Sequence, residues 1–216
     1  MNTRIKICCI QSGQEAADAI SFGAAALGLV GLMPSGPGPI SDDEIYRIAK
    51  TVPPPIATFL LTSEQTADGI IAHHTRTRTN TIQIVDELAD RDYAKIREAL
   101  PDVKLVQVVH VVGDESVDEA CELAGHVDAI LLDSGNPKLA VKELGGTGRR
   151  HDWRLSRRIV ETCGKPVFLA GGLNAANVRE AIDIVQPFGL DLCSAVRTDS
   201  KLDLPKLENF FIAAGY

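Results

Sequence analysis

Asp133 closes the apolar run Ala-Ile-Leu-Leu-Asp at positions 129–133, with Ser134 directly after it. A carboxyl carried by an apolar segment into a partly dry cleft keeps its proton to higher pH than it would in water, which suits it to protonate a substrate near neutrality. Position alone equally allows Asp133 to cap the following loop by accepting backbone N–H groups. Cys8 and Cys9 sit together in the first apolar run. Side chains alternate along a strand, so only one of the two thiols is expected to face a cleft. A lone buried cysteine otherwise reads as small apolar filler. A bond between these neighbours would distort the strand and is discounted. Three glycine-rich or small-residue elements could hold an anion: Gly145–Gly148, with Gly146, Thr147 and Gly148; Ala170–Asn174, with Gly171 and Gly172; and Cys193–Val196, with Ser194 and Ala195. Glycine lets backbone N–H groups approach a phosphate closely, and a helix start adds a favourable dipole, although tight turns and caps use the same residues. Gln83, His110 and Arg197 are further polar residues at run ends or in the loops beyond.

These residues need a frame that brings run ends together. Short runs rich in Val, Ile and Leu alternate with amphipathic segments along the whole chain. The runs are Arg4–Ile10, Ala25–Leu32, Ile56–Leu61, Thr81–Val85, Val103–Val109, Ala129–Asp133, Pro166–Ala170 and Gly189–Cys193. Helical patterns fall between and after them, with start signals at Ser41, Ser63, Asp152, Asn174 and Asp203. Eight such units leave about 27 residues each, enough for a strand, a three-turn helix and two tight loops. The expected fold is α/β, a (β/α)8 TIM barrel spanning 1–216 as a single domain. An open doubly wound sheet would be expected to carry a G-x-G-x-x-G turn after the first strand, and Gln11-Ser12-Gly13-Gln14 stands there instead. In a barrel the chemistry gathers at the carboxyl ends of the strands, where the polar residues above fall. His73 and His74, near Arg76 and Arg78 at a helix end, read as a solvated cationic face.

The chain has 216 residues, 24% charged and 45% hydrophobic, which is globular rather than disordered. A formal charge of −7 without a long basic cluster argues against nucleic acid or an anionic membrane as partner. Five cysteines with no C-x-x-C pair, no apolar leader and no run of about 20 apolar residues fit a cytoplasmic protein that does not cross a membrane. No His, Cys and carboxylate set has metal-ligand spacing. The expected partner is a phosphorylated small molecule, bound by a monomer or homodimer.

Taken in order, Lys6-Ile7-Cys8-Cys9-Ile10, Ala26-Leu27-Gly28-Leu29-Val30, Leu131-Leu132-Asp133-Ser134, Gly145 to Gly148 with Asp152-Trp153, and Leu169 to Asn174 resemble the motifs of the phosphoribosylanthranilate isomerase family over nearly the whole chain. The resemblance implies an Amadori rearrangement of an aldosylamine 5-phosphate to a 1-amino-1-deoxyketose 5-phosphate, without metal or cofactor. Carried over, Asp133 is the general acid that protonates the ring oxygen, and Cys8 the general base that takes the C2 proton, with Lys6 two residues away as a cation to favour a thiolate. Four departures concern the rest of the site. Gly38 stands where the family has the arginine that grips the anthranilate carboxylate, and Val85 replaces a histidine, with Asp86 after it. Cys9 replaces a glycine, and Arg197 lies where a glutamate is frequent. The favoured reading is a divergent family member in which Arg76, Arg78 or Arg197 replaces the lost clamp. A paralogue for a substrate lacking that carboxylate, or a phosphosugar-binding barrel without turnover, are the alternatives.

Overall fold

The computed structural model describes residues 3–135 and 150–216. Eight parallel strands close into a barrel in sequence order: β1 (Arg4–Ile7), β2 (Ala26–Val30), β3 (Ala57–Thr62), β4 (Thr81–Ile84), β5 (Lys104–His110), β6 (Ala129–Asp133), β7 (Val167–Leu169) and β8 (Gly189–Leu192), with β8 pairing back onto β1. The helices α1 (Gly13–Ser21), α2 (Asp42–Thr51), α3 (Ala67–Thr77), α4 (Tyr93–Ala99), α5 (Glu115–Ala124), α6 (Trp153–Thr162), α7 (Val178–Val185) and α8 (Leu204–Ala214) follow the strands in turn. A short 3-10 turn, Ser194–Val196, and a two-residue hairpin, β9 (Arg197–Thr198) with β10 (Lys201–Leu202), lie between β8 and α8. All eight expected runs became strands, because segments covered on both faces gain from being apolar throughout.

Two apolar layers result. Between strands and helices, alternate strand residues such as Ile5, Ile7, Leu27 and Leu29 meet the inward helix faces. Inside the barrel, Ala26, Phe59, Val106, Leu131 and Phe168 form a second cluster. There Phe59 and Phe168 meet edge to face at 5.8 Å, and Gly189 makes room for them, since a Cβ on it would lie 2.6 Å from the Phe168 ring. The barrel is therefore filled beneath its mouth.

Helix starts follow side-chain caps. Ser41, Asp152 and Asp203 cap α2, α6 and α8 as their types predict, each accepting a first-turn N–H. Two starts fall three residues later than expected. Thr66 rather than Ser63 caps α3, through the Gly69 N–H. Asn174 is used in a turn, accepting from the Ala176 N–H while its own N–H goes to Asn177 Oδ1, and α7 begins after Asn177.

The expected solvated face of His73 and His74 is a misreading. Both are buried: His73 bonds Thr62 Oγ1 at 2.9 Å and Asp42 Oδ1 at 3.1 Å, and His74 bonds the Thr79 carbonyl at 2.7 Å. Burial pulls the His73 pKa below its usual value despite Asp42. Gly31 lets the imidazole in, because a Cβ there would sit 2.4 Å from His73 Cε1. Among the described residues no helix is long and apolar enough to cross a membrane.

Candidate active site

A cavity opens at the carboxyl ends of the strands, and Cys8, Gln83, Asp133, Gly171, Gly172, Ser194 and Ala195 all line it. Residues 125 positions apart in sequence thus share one cleft because β1 and β6 end at the same rim. Gly146, Thr147 and Gly148 lie outside the described residues. Asp133 is 8% exposed, and its Oδ1 accepts the Ser134 N–H at 2.7 Å, so it both caps its loop and faces the cavity. Burial, reinforced by the nearby Asp191 carboxylate and opposed by the Ser134 N–H, pushes its pKa up to about 6. It therefore holds a proton well above the usual carboxyl range.

Cys8 lies just past β1, on the inward side that Lys6 within the strand also faces. Gly28 on the neighbouring strand makes this possible, since a Cβ there would stand 2.7 Å from Cys8 Sγ and 3.1 Å from Lys6 Nζ. Lys6 is fully buried and pairs with Asp191 at 2.8 Å, with its ammonium 5.1 Å from the Phe59 ring centroid. Burial alone would lower the lysine pKa, but Asp191 outweighs it and holds Lys6 above its usual value. A permanent cation therefore sits beside the Cys8 thiol.

At the end of β7, two strands from β1 around the barrel, Gly171 and Gly172 adopt φ of +83° and +64°, the left-handed region that glycine tolerates. The N–H groups of Gly172, Ser194 and Ala195 meet no acceptor among the described residues. His151 supports this wall. It bonds Ser156 Oγ at 2.7 Å, burial brings its pKa down to about 4, and its Nδ1 would lie 3.1 Å from a Cβ on Gly171.

Several expectations change. Cys9 does not turn away from Cys8: both line the cavity, because the strand stops at Ile7 and Cys9 takes φ +63°, which breaks the alternation. Cys9 donates to the Pro37 carbonyl at 3.5 Å, and the interaction of its thiol with that of Cys193 raises the Cys9 pKa and lowers that of Cys193. His110 is not in this cavity but lines a neighbouring one. Asp86 goes there too, with Oδ2 bonded to Gln65 at 2.9 Å, so the acid after Val85 does not face the site. Arg197 is not a substrate clamp. It is 8% exposed and occupied by Glu15 at 2.9 Å, the Ser200 carbonyl at 2.8 Å and the Cys9 carbonyl. Arg76 pairs with Asp42 at 2.5 Å, and Arg78 lies over the Tyr46 ring, so neither replaces the clamp. Gly38 is bare and crowded: a Cβ would come within 2.6 Å of Cys9 Cβ, at φ +77°. Asp191 was missed by sequence reasoning. Its signal was a charge inside an otherwise apolar run.

A parallel (β/α)8 barrel with a thiol and a protonatable carboxyl at its carboxyl-end rim is the class that fold and site define. The N-(5'-phosphoribosyl)anthranilate (PRA) isomerase family matches residues 5–213. The isomerase of Methanosarcina acetivorans is 33% identical over 97% of this chain and 92% of its own length. Among solved structures, the Thermotoga maritima enzyme superposes with a TM-score of 0.81 at 27% identity, covering 98% of each chain. One crystallised with reduced 1-(o-carboxyphenylamino)-1-deoxyribulose 5-phosphate gives 0.78 at 25% identity, again covering 98% of each. The chain belongs to the PRA isomerase family.

Proposed function

We propose that this chain, acting as one domain in the cytoplasm and needing no cofactor, rearranges N-(5'-phosphoribosyl)anthranilate to 1-(o-carboxyphenylamino)-1-deoxyribulose 5-phosphate. The observation that carries the reading is the meeting of Cys8 and Asp133 in one cavity whose glycine-rich wall has backbone donors that meet no acceptor among the described residues. The N–H groups of Gly172, Ser194 and Ala195 take the phosphate, with the Gly146–Gly148 segment as a further contributor. Asp133, whose pKa burial raises to about 6 so that a fraction carries its proton near neutrality, gives that proton to the furanose ring oxygen as the ring opens to an iminium ion. That cation acidifies C2, and the Cys8 thiolate, beside the Lys6 ammonium, removes the proton to give the enolamine, which tautomerises to the ketone. Gln83 lines the cavity, its buried Oε1 has no hydrogen-bond partner among the described residues, and it would accept a hydrogen bond from a sugar hydroxyl.

Growth of a tryptophan auxotroph lacking this isomerase, restored by the gene, tests the activity; soluble protein without growth rejects it. Cys8→Ala and Asp133→Asn should each lower kcat by roughly 10²–10⁴, the usual worth of a positioned acid or base, with little change in product-analogue affinity. Full activity in both variants would overturn the assignment.

A further inference from the structure

Three of the five thiols meet at one rim: Cys8 and Cys9, past the end of β1, and Cys193, past the end of β8, all line the catalytic cavity. The isomerisation proposed above uses Cys8 and leaves the other two without a task. We propose that Cys9 and Cys193 form a modification site for a small peroxide, which joins them in a reversible disulfide across the β1–β8 seam. The Cys8 N–H donates to the Leu192 carbonyl at 2.8 Å and continues the β1–β8 register, so the chain carries Cys9 and Cys193 out of paired strands together. Paired strands run about 4.8 Å apart, inside the roughly 4.4–6.8 Å between Cα atoms that a disulfide spans. The left-handed φ of +63° at Cys9 keeps its side chain in the cavity, and Cys193 packs against the cluster that holds Cys8 and Cys9. Arg197 secures this arrangement by donating to the Cys9 carbonyl and, at 2.8 Å, to the Ser200 carbonyl.

The two thiols have different parts. Their mutual interaction is the largest influence on both: it raises the pKa of Cys9, which stays protonated and donates to the Pro37 carbonyl at 3.5 Å, and lowers that of Cys193. The Arg197 and Lys6 cations lower Cys193 further, against burial and the Asp191 carboxylate. Thiolates rather than thiols attack peroxides, and half-buried Cys193 is reached from the cavity. With hydrogen peroxide, the Cys193 sulfur takes one oxygen as the O–O bond breaks, and the other leaves as hydroxide, which solvent protonates. Cys193 is then a sulfenic acid. The Cys9 sulfur attacks that sulfur, the S–O bond breaks, and the departing hydroxide carries off the Cys9 proton as water. Two thiols lose two electrons and two protons, and one hydrogen peroxide becomes two waters. A neighbouring thiol that captures the sulfenic acid stops oxidation at its reversible stage. Among the described residues no group of three or more His, Cys, Asp and Glu is arranged to hold a metal, so the thiol cluster reads as a redox pair rather than a soft-metal site.

Treatment of the intact protein with hydrogen peroxide, followed by trypsin and mass spectrometry without reductant, tests the proposal. The expected product joins the peptide 7–47 to the peptide 180–197, with fragmentation placing the link on Cys9, and dithiothreitol separates the two again. It should form at least about tenfold faster than Cys121 is oxidised, although Cys121 is the more exposed thiol, because thiolate character rather than exposure sets the rate. The link should persist in Cys8→Ser. In Cys9→Ser the second step is blocked, and dimedone should capture the sulfenic acid on Cys193. Absence of the joined peptides, a link carried by Cys8, oxidation of Cys193 no faster than that of Cys121, or dimedone capture at Cys8 without capture at Cys193 would each overturn it. The parent protein alone supplies the first three of these readouts, so a variant that fails to fold does not hide the answer. The link is read by mass, and failure of the isomerase reading would leave it intact.

Discussion

Burial raises the pKa of the Asp133 carboxyl, so ionising it in the folded protein costs stability, and that cost can be measured. Its pKa rises from 3.8 to about 6 on folding. The folded state therefore binds this proton more tightly than the unfolded chain does. The contribution to stability is fully present below pH 3.8 and is lost as pH rises through about 6. Two pKa units correspond to about 3 kcal/mol. Asp133→Asn, which never ionises, should therefore be more stable than the parent by up to about 3 kcal/mol above pH 7 and nearly equal to it below pH 4, while losing activity. Denaturant titrations at both pH values check this, and a gain that does not depend on pH would contradict it. The position of Asp133 at a strand end was legible in the sequence, but the strand-end position alone allowed a loop cap as readily as an acid, and the family motif Leu131-Leu132-Asp133-Ser134 favoured the second. The fate of Arg197 was not. Its partners Glu15 and the Cys9 carbonyl lie more than 180 positions away, and no local pattern announces that a guanidinium is already occupied.

At the scale of the element, the end of β1 and the loop after β2 pack tightly against each other. Cys9 occupies the space that a side chain at 38 would need, and both positions have left-handed backbone. Gly38→Arg alone should cost roughly 2–4 kcal/mol, from overpacking added to the backbone penalty. Combining it with Cys9→Gly removes the clash, so the double variant should be more stable than the sum of the singles by at least about 1 kcal/mol. Thermal unfolding of the four proteins in the cycle measures this coupling, and strict additivity would refute it. The sequence displayed both substitutions but not their contact, since 29 positions separate them and the loop folds back only in three dimensions. Strand positions were readable because apolar runs have one dominant use. The place where alternation stops was not, because a single left-handed residue, Cys9, decides it. The same limit applies to His110, whose strand parity matches the inward residues Val106 and Val108 while the ring serves the neighbouring cavity.

For the molecule as a whole, the seam where the last strand meets the first is fastened by charge. Lys6 and Asp191 are directly opposite each other in the β1–β8 register, and their ion pair lies inside the barrel. Removing the acid leaves an ammonium with no exposure and no counter-charge, so Asp191→Ala should destabilise by about 3–5 kcal/mol. Replacing Lys6 and Asp191 together by apolar residues should recover much of that loss. Equilibrium unfolding of the single and double variants decides the matter, and a single variant as stable as the parent would exclude the role. Below the seam pair, Phe59 and Phe168 plug the interior. Among the described residues the reaction chamber is closed on that side, so what enters and what leaves cross the same rim. Spent product lingering there bars the next substrate, so its inhibition should be purely competitive.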